Sequence, residues 1–190
     1  MWGYGFLKVI GLIGLGAMGG SYAKHLLSSG YEVFGVDPDK SNSSLFVSSG
    51  GIIVSDINDL MSKCKVIILS LPTVPIFKDV VNQFEKNNSV SMTEVVIDMN
   101  TISLEDKLDA KNKLSKLNIE LIDAPVSGTG AQAKSKDLVV MSSGSEKIVS
   151  DCEEIFNSFA RKNIYVGEFG NGIKFKILAN LLVTVHNTVT

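Results

Sequence analysis

The chain has 190 residues, 45% hydrophobic and 20% charged, with 18 Lys plus Arg against 20 Asp plus Glu. That is the composition of an ordinary globular protein, long enough to bury its own core without disulfide or metal staples. A net charge of −2 gives no overall pull toward phosphate backbones or anionic lipid, and Cys64 and Cys152 form no CxxC pair, so neither nucleic-acid binding nor a metal module is expected.

The apolar opening over 2–18 has no basic leader, is interrupted by Lys8, and is broken by Gly3, Gly5, Gly11, Gly14 and Gly16. Neither a signal peptide nor a membrane helix is expected there, and no other apolar run reaches the ~18 residues that a spanning helix needs. A cytoplasmic protein with no membrane partner is the expectation. Within that opening, 9–13 is a short, partly β-branched run ending in glycine, the pattern of a strand buried on both faces. Met18, Tyr22, Ala23, Leu26 and Leu27 then keep helical spacing, and Gly30 stands where a C-terminal glycine cap belongs, which predicts a helix over 18–29.

A strand over 32–36 follows, then a weak helix over 43–49, a short strand over 52–54, a helical turn over 57–61, and a strand over 66–71 closed by Pro72. Next come a helix over 76–85, a strand over 95–99, a polar helix over 104–117 and a strand over 119–122. Strands separated by helices need crossover connections, so the fold class is α/β, a doubly wound, mostly parallel sheet with helices on both faces. Beyond Ala124 a glycine-bearing loop precedes an apolar run over 138–141, a helix over 148–159 and a strand over 164–166, read as closing strands of the same sheet. After Gly170 and Gly172, Ile173, Ile177, Leu178, Leu181, Leu182 and Val185 recur at helical spacings toward the last residue, and a second domain or a partner chain is expected to cover them.

Gly14-Leu15-Gly16-Ala17-Met18-Gly19 is a GxGxxG turn directly after the first strand and opening the first helix. In that context Gly14 permits the tight turn, Gly16 lets a pyrophosphate approach the backbone, and Gly19 lets helix and strand pack closely, with helix N–H groups as donors. Asp37 ends the second strand, where a carboxylate accepts hydrogen bonds from an adenosine ribose and repels a 2′-phosphate. NAD is therefore expected over NADP. The competing reading makes the glycines a plain strand-helix turn and Asp37 the start of an Asp-Pro turn with Pro38.

Together with GLGAMG at 14–19, the segments LSLPT at 69–73, IDMNTIS at 97–103, DAPVSG at 123–128 and GNGIKFKILAN at 170–180 resemble the β-hydroxyacid dehydrogenase family. That family includes 3-hydroxyisobutyrate dehydrogenase, tartronate semialdehyde reductase and relatives of 6-phosphogluconate dehydrogenase. The resemblance implies a Rossmann-type dinucleotide-binding domain over 1–168, the start of an interdomain helix over 169–190, and a helical C-terminal domain that is absent from this sequence. It implies an NAD-dependent oxidoreductase passing hydride between nicotinamide and a small, carboxylate-bearing β-hydroxyacid or its semialdehyde. A homo-oligomer formed through the C-terminal helix or the missing domain goes with it.

By the same resemblance Lys176 is the catalytic lysine, with Asn180 one turn further along the helix. Ser127, Gly128 and Thr129 hold the substrate carboxylate, Asn100 and Thr101 lie near the nicotinamide, and Leu71 and Pro72 shape the cofactor wall. Two positions depart from the family pattern: Ala179 stands where another asparagine is common, and Thr129 where a second glycine is. Asn100 and Thr101 are also candidates for capping the helix that begins near Ser103. His25 and His186 have no acid partner at triad spacing and are expected on helix surfaces. The competing functions are a non-catalytic dinucleotide-binding or interaction module and an imine reductase-like enzyme, against which the retained Lys176 argues.

Overall fold

The computed structural model describes residues 8–86 and 90–189, so residues 2–7 of the apolar opening lie outside the described residues. Its main body is a six-stranded sheet of β1 (Val9–Ile13), β2 (Glu32–Val36), β3 (Ile52–Ile53), β4 (Val66–Leu69), β5 (Val95–Asp98) and β6 (Glu120–Asp123), in the order β3-β2-β1-β4-β5-β6. Every neighbouring pair is parallel. The crossovers are α1 (Ala17–Ser28), α2 (Lys40–Ser48), α3 (Ile57–Lys63), α4 (Val74–Glu85) and α5 (Leu104–Ser115). Strand order reverses between β1 and β4, and in sheets of this kind ligands bind in the crevice outside the strand ends at that point.

The central strands read as unbroken apolar runs because both faces are covered. Ile10, Leu12, Ile68 and Ile97 pack on one side with Tyr22 and Leu26 of α1. Ile13, Ile67, Leu69 and Val96 pack on the other with Phe77 and Phe84 of α4. Helix starts follow side-chain caps more than periodicity. α2 begins at Lys40, ahead of the expected 43, because Asp39 Oδ1 accepts from Ser41 N (2.7 Å) and Asn42 N (3.1 Å). α4 begins at Val74, ahead of the expected 76, with Thr73 as its cap and Pro75 in the first turn.

The later strands do not close the same sheet, which corrects the expectation. β7 (Val126–Ser127) precedes α6 (Gly130–Lys134), and β8 (Val139–Ser142), α7 (Glu146–Asp151), α8 (Glu153–Phe159), β9 (Lys162–Tyr165) and α9 (Asn171–Val189) complete the described chain. β7, β8 and β9 form a separate three-stranded sheet, with β7 antiparallel to β8 and β8 parallel to β9. Pro125 has no N–H to extend a ladder beyond β6, and the chain leaves the large sheet there. A single antiparallel bridge, Asp123 to Ser143, joins the two sheets. The helix expected over 148–159 is also divided, with Cys152 between α7 and α8. The small sheet still shares the main core, since Leu138, Val140, Phe156 and Phe159 pack in one cluster with Ile10 and Tyr22.

Candidate cofactor and substrate site

The glycines of the first turn divide the work. A Cβ on Gly14 (φ +92°) would collide with the Ser70 carbonyl oxygen, and one on Gly19 with the Gly14 carbonyl oxygen, whereas a Cβ on Gly16 would meet nothing within 4 Å. Gly14 and Gly19 therefore let β1, α1 and the end of β4 close together, and Gly16 leaves the approach to the helix open. Leu15 is buried below the turn, Ala17 is exposed on it and Met18 packs against the core. α1 has no side-chain cap, while α2 to α6 are capped by Asp39, Asp56, Thr73, Ser103 and Thr129. Its first N–H groups face the opening over Gly16, a seat that fits a pyrophosphate. A cleft of about 500 Å3 runs from Gly16 between α1 and α2, lined by Ala17, Lys24, Asn42 and Phe46.

Asp37 is half-buried at the end of β2. Its Oδ2 accepts from Leu15 N (2.6 Å) and Asn42 Nδ2 (3.2 Å), and its Oδ1 from Asp39 N (2.8 Å). The carboxylate thus fixes the glycine turn and the Asp-Pro turn together, which is the turn role that the competing reading gives it. Oδ2 is filled by its two donors, and Oδ1, with one, keeps acceptor capacity for a hydroxyl.

Across the switch point, Leu71 and Pro72 follow β4, and Asn100 and Thr101 follow β5. Asn100 is buried: its Oδ1 accepts from Leu71 N (2.6 Å), and its own N and Nδ2 donate to Asp98 Oδ1 at 3.0 and 2.7 Å. It ties the two strand ends together and does not cap α5; Ser103 does, accepting from Asp106 N (3.1 Å). Thr101 is exposed beside it.

The loop over 127–129 sits on the small sheet. Ser127 ends β7, Gly128 (φ +139°) turns the chain with no room for a side chain beside Leu138, and Thr129 caps α6, its N–H and hydroxyl both within reach of Gln132 Oε1. α9 is rooted at the opposite end of β8, where Ser143 follows the strand, while Ser127 pairs with Val139 at its start. Ser143 Oγ accepts from Gly170 N (3.2 Å) and Gly172 N (3.0 Å), and Asp123 Oδ2 accepts from Ile173 N (2.9 Å) and Ser143 Oγ (3.0 Å). Any Cβ on Gly172 would strike the Met141 carbonyl oxygen and lie 2.9 Å from Asp123 Oδ2, so only glycine lets the helix approach this closely. Lys176 and Asn180 follow on one face of α9. Lys176 is half-buried, and loss of solvent draws its pKa below the ordinary lysine value, while Asn180 is exposed. His25 Nε2 lies 2.9 Å from the Ala133 carbonyl oxygen and joins α1 to α6; His186 is exposed on α9.

Sequence reading passed over one group. Lys107 of α5 is fully buried, with Nζ 2.5 Å from Asp98 Oδ2 and 3.0 Å from Asp123 Oδ1, both carboxylates also fully buried. Burial alone would lower its pKa, but Asp98 and Asp123 outweigh burial and hold it above the ordinary lysine value. The available signal was spacing: Lys107 shares the buried stripe of α5 with Ala110 and Leu114.

A family model described as the NAD binding domain of 6-phosphogluconate dehydrogenase matches residues 9–167. The chain belongs to that family. Within it, 2-(hydroxymethyl)glutarate dehydrogenase of Eubacterium barkeri is 29% identical over 175 residues, 92% of this chain and 58% of that protein. A solved 3-hydroxyisobutyrate dehydrogenase of Mycobacterium tuberculosis, with L-serine, superposes with a TM-score of 0.89 at 25% identity over 95% of this chain and 62% of that one. An imine reductase of Streptomyces aurantiacus shares the fold, with a TM-score of 0.82 at 22% identity over 93% and 61%. The chain therefore spans about three fifths of the length of these relatives. Among the described residues no helix is long and apolar enough to cross a membrane.

Proposed function

We propose that the protein carrying this chain is an NAD-dependent oxidoreductase that moves hydride between nicotinamide and a small β-hydroxyacid or its semialdehyde. The observation that carries the reading is the rooting of α9 on Asp123 and Ser143, at the strand-end edge that also bears the glycine turn, Leu71 and Asn100. Gly14 to Gly19 seat the pyrophosphate and Asp37 the adenosine ribose, with NAD preferred to NADP because a 2′-phosphate would meet the Asp37 charge. Leu71, Pro72, Asn100 and Thr101 form the wall beside the nicotinamide, which when bound supplies the hydride acceptor or donor.

Lys176 is the proton-transfer group. In oxidation its neutral amine takes the hydroxyl proton while the carbon gives up hydride. In reduction the ammonium returns the proton to the new alkoxide. Burial shifts the balance toward the neutral amine. Asn180 steadies the reacting oxygen from the next turn, and Ser127 and Gly128 hold the carboxylate through hydroxyl and backbone N–H, with Thr129 bordering the pocket. The names of the two dehydrogenase relatives denote substrates with a hydroxymethyl group near a carboxylate, which supports this substrate class. Residues 169–190 are the start of a helix leading to a helical domain or a second copy that closes the cleft.

The test is a panel of β-hydroxyacids against cyclic imines, run on the full-length protein with NADH titrations alongside. Turnover confined to hydroxyacids supports the reading. Imine turnover alone would favour the imine reductase reading, and NADH binding without any turnover a binding module.

A further inference from the structure

We infer that Lys107 is a positioning residue that sets the spacing between the cofactor wall and the α9 face bearing Lys176 and Asn180. The inference rests on the proton-transfer role proposed for Lys176. Asp98 and Asp123 are direct neighbours in the parallel ladder of β5 and β6. Their carboxylates fall together in the dry interior, where like charges repel strongly. Lys107 Nζ stands between them, within 3.0 Å of both.

Each carboxylate then uses its other oxygen on a different part of the site. Asp98 Oδ1 orients Asn100, whose Oδ1 receives Leu71 N–H, while Asp123 Oδ2 receives Ile173 N–H of α9 and Ser143 Oγ–H. A chain of buried polar contacts therefore runs from Leu71 to the first turn of α9, and Lys107 is its midpoint. The cluster carries two negative charges and one positive. The remaining negative charge is met by the Asn100 and Ser143 donors and by the positive end of α9. The ammonium supplies what a neutral side chain cannot: it holds the two carboxylates at one separation, and so holds Ile173 at one distance from Leu71. Lys176 lies one turn beyond Ile173 on the same rigid helix.

The experiment compares Lys107→Met with Leu26→Ala, a core truncation on α1 of similar expected cost to stability, in the full-length protein well below both unfolding temperatures. In Lys107→Met, amide exchange at Gly172, Ile173 and Leu71 should quicken about tenfold, and kcat for hydroxyacid oxidation should fall about tenfold to a hundredfold with the KM for NAD unchanged, as expected when reacting groups are slightly misplaced. Leu26→Ala should leave those amides and kcat near wild type. Equal effects of the two variants on Ile173 exchange and on kcat would overturn the inference and leave Lys107 as a stability residue only. If Lys107→Met does not fold, Asp98→Asn, which leaves one positive and one negative charge and makes no hydrogen bond to α9, takes its place with the same expectation at Ile173. If the wild type turns over no hydroxyacid, the proposed function falls and exchange at Ile173 decides alone: faster exchange than in Leu26→Ala supports the positioning role, and equal exchange overturns it.

Discussion

At Gly16 a side chain would enter open space, while at Gly14 and Gly19 it would enter another backbone. Fold and cofactor effects should therefore separate. Gly16→Val should leave the unfolding temperature within about 2 °C of wild type, as for a surface change, yet weaken NADH binding at least about tenfold by filling the pyrophosphate approach. Gly19→Val should unfold the turn, and calorimetry on both variants distinguishes the two outcomes. Asp37→Ala should narrow a preference for NADH over NADPH, and equal affinities in the wild type would reject its ribose role. Lys176→Ala should abolish most turnover with NADH affinity intact. Because burial lowers the Lys176 pKa, oxidation should rise with pH through that value as the amine becomes neutral, and reduction, which needs the ammonium, should fall over the same interval. A pH-rate profile in both directions checks the sign.

At the scale of elements, strands buried on both faces were legible because composition alone marks them: 9–13, 66–71 and 95–99 each fall on an observed strand. Helix starts in serine-rich or proline-bearing stretches were less so, since Asp39 and Thr73 act through single hydrogen bonds that leave no periodic trace. β7 has only Val126 and Ser127 and no pattern of its own, and its antiparallel partner lies beyond α6. The motif residues were readable singly. Lys107 was not, because its meaning depends on two carboxylates brought beside it by strand pairing. Breaking that cluster by Lys107→Met should cost about 3–5 kcal/mol at neutral pH, the usual penalty for stranding buried charge. The pH dependence has a definite sign. Since Lys107 is raised above its unfolded value, its stabilisation is complete below the ordinary lysine pKa of about 10.4 and fades only as pH climbs through the higher folded value. Urea unfolding of both proteins from neutral to alkaline pH measures the difference.

Across the whole molecule, the residues proposed to hold the cofactor and those proposed to hold the substrate carboxylate occupy different sheets that share one core. α9 leaves this body with Ile177, Leu178, Leu181, Leu182 and Val185 each at least half exposed, an uncovered apolar surface. A protein of residues 1–190 alone is therefore expected to bind NADH as the full-length protein does but to turn over hydroxyacids at no more than about a hundredth of its rate, because an uncovered α9 leaves the base loosely held and the cleft wet. Parallel titration and turnover measurements check this, and matching rates would show that the cleft needs no further cover.

The single bridge between Asp123 and Ser143 bears on how such an enzyme changes over time. The residues proposed to seat the dinucleotide stand at the strand ends of the large sheet, whereas Ser127, Gly128 and Thr129 hang from the small one. Substitutions in β7 and the loop that follows it can accumulate without disturbing the pyrophosphate turn, whereas α6 packs on α1 through Ala133 and is less free to vary. A laboratory search for a new acid specificity would do best to randomise β7 and that loop and leave 9–37 untouched, so that libraries sample substrates while every member keeps its coenzyme.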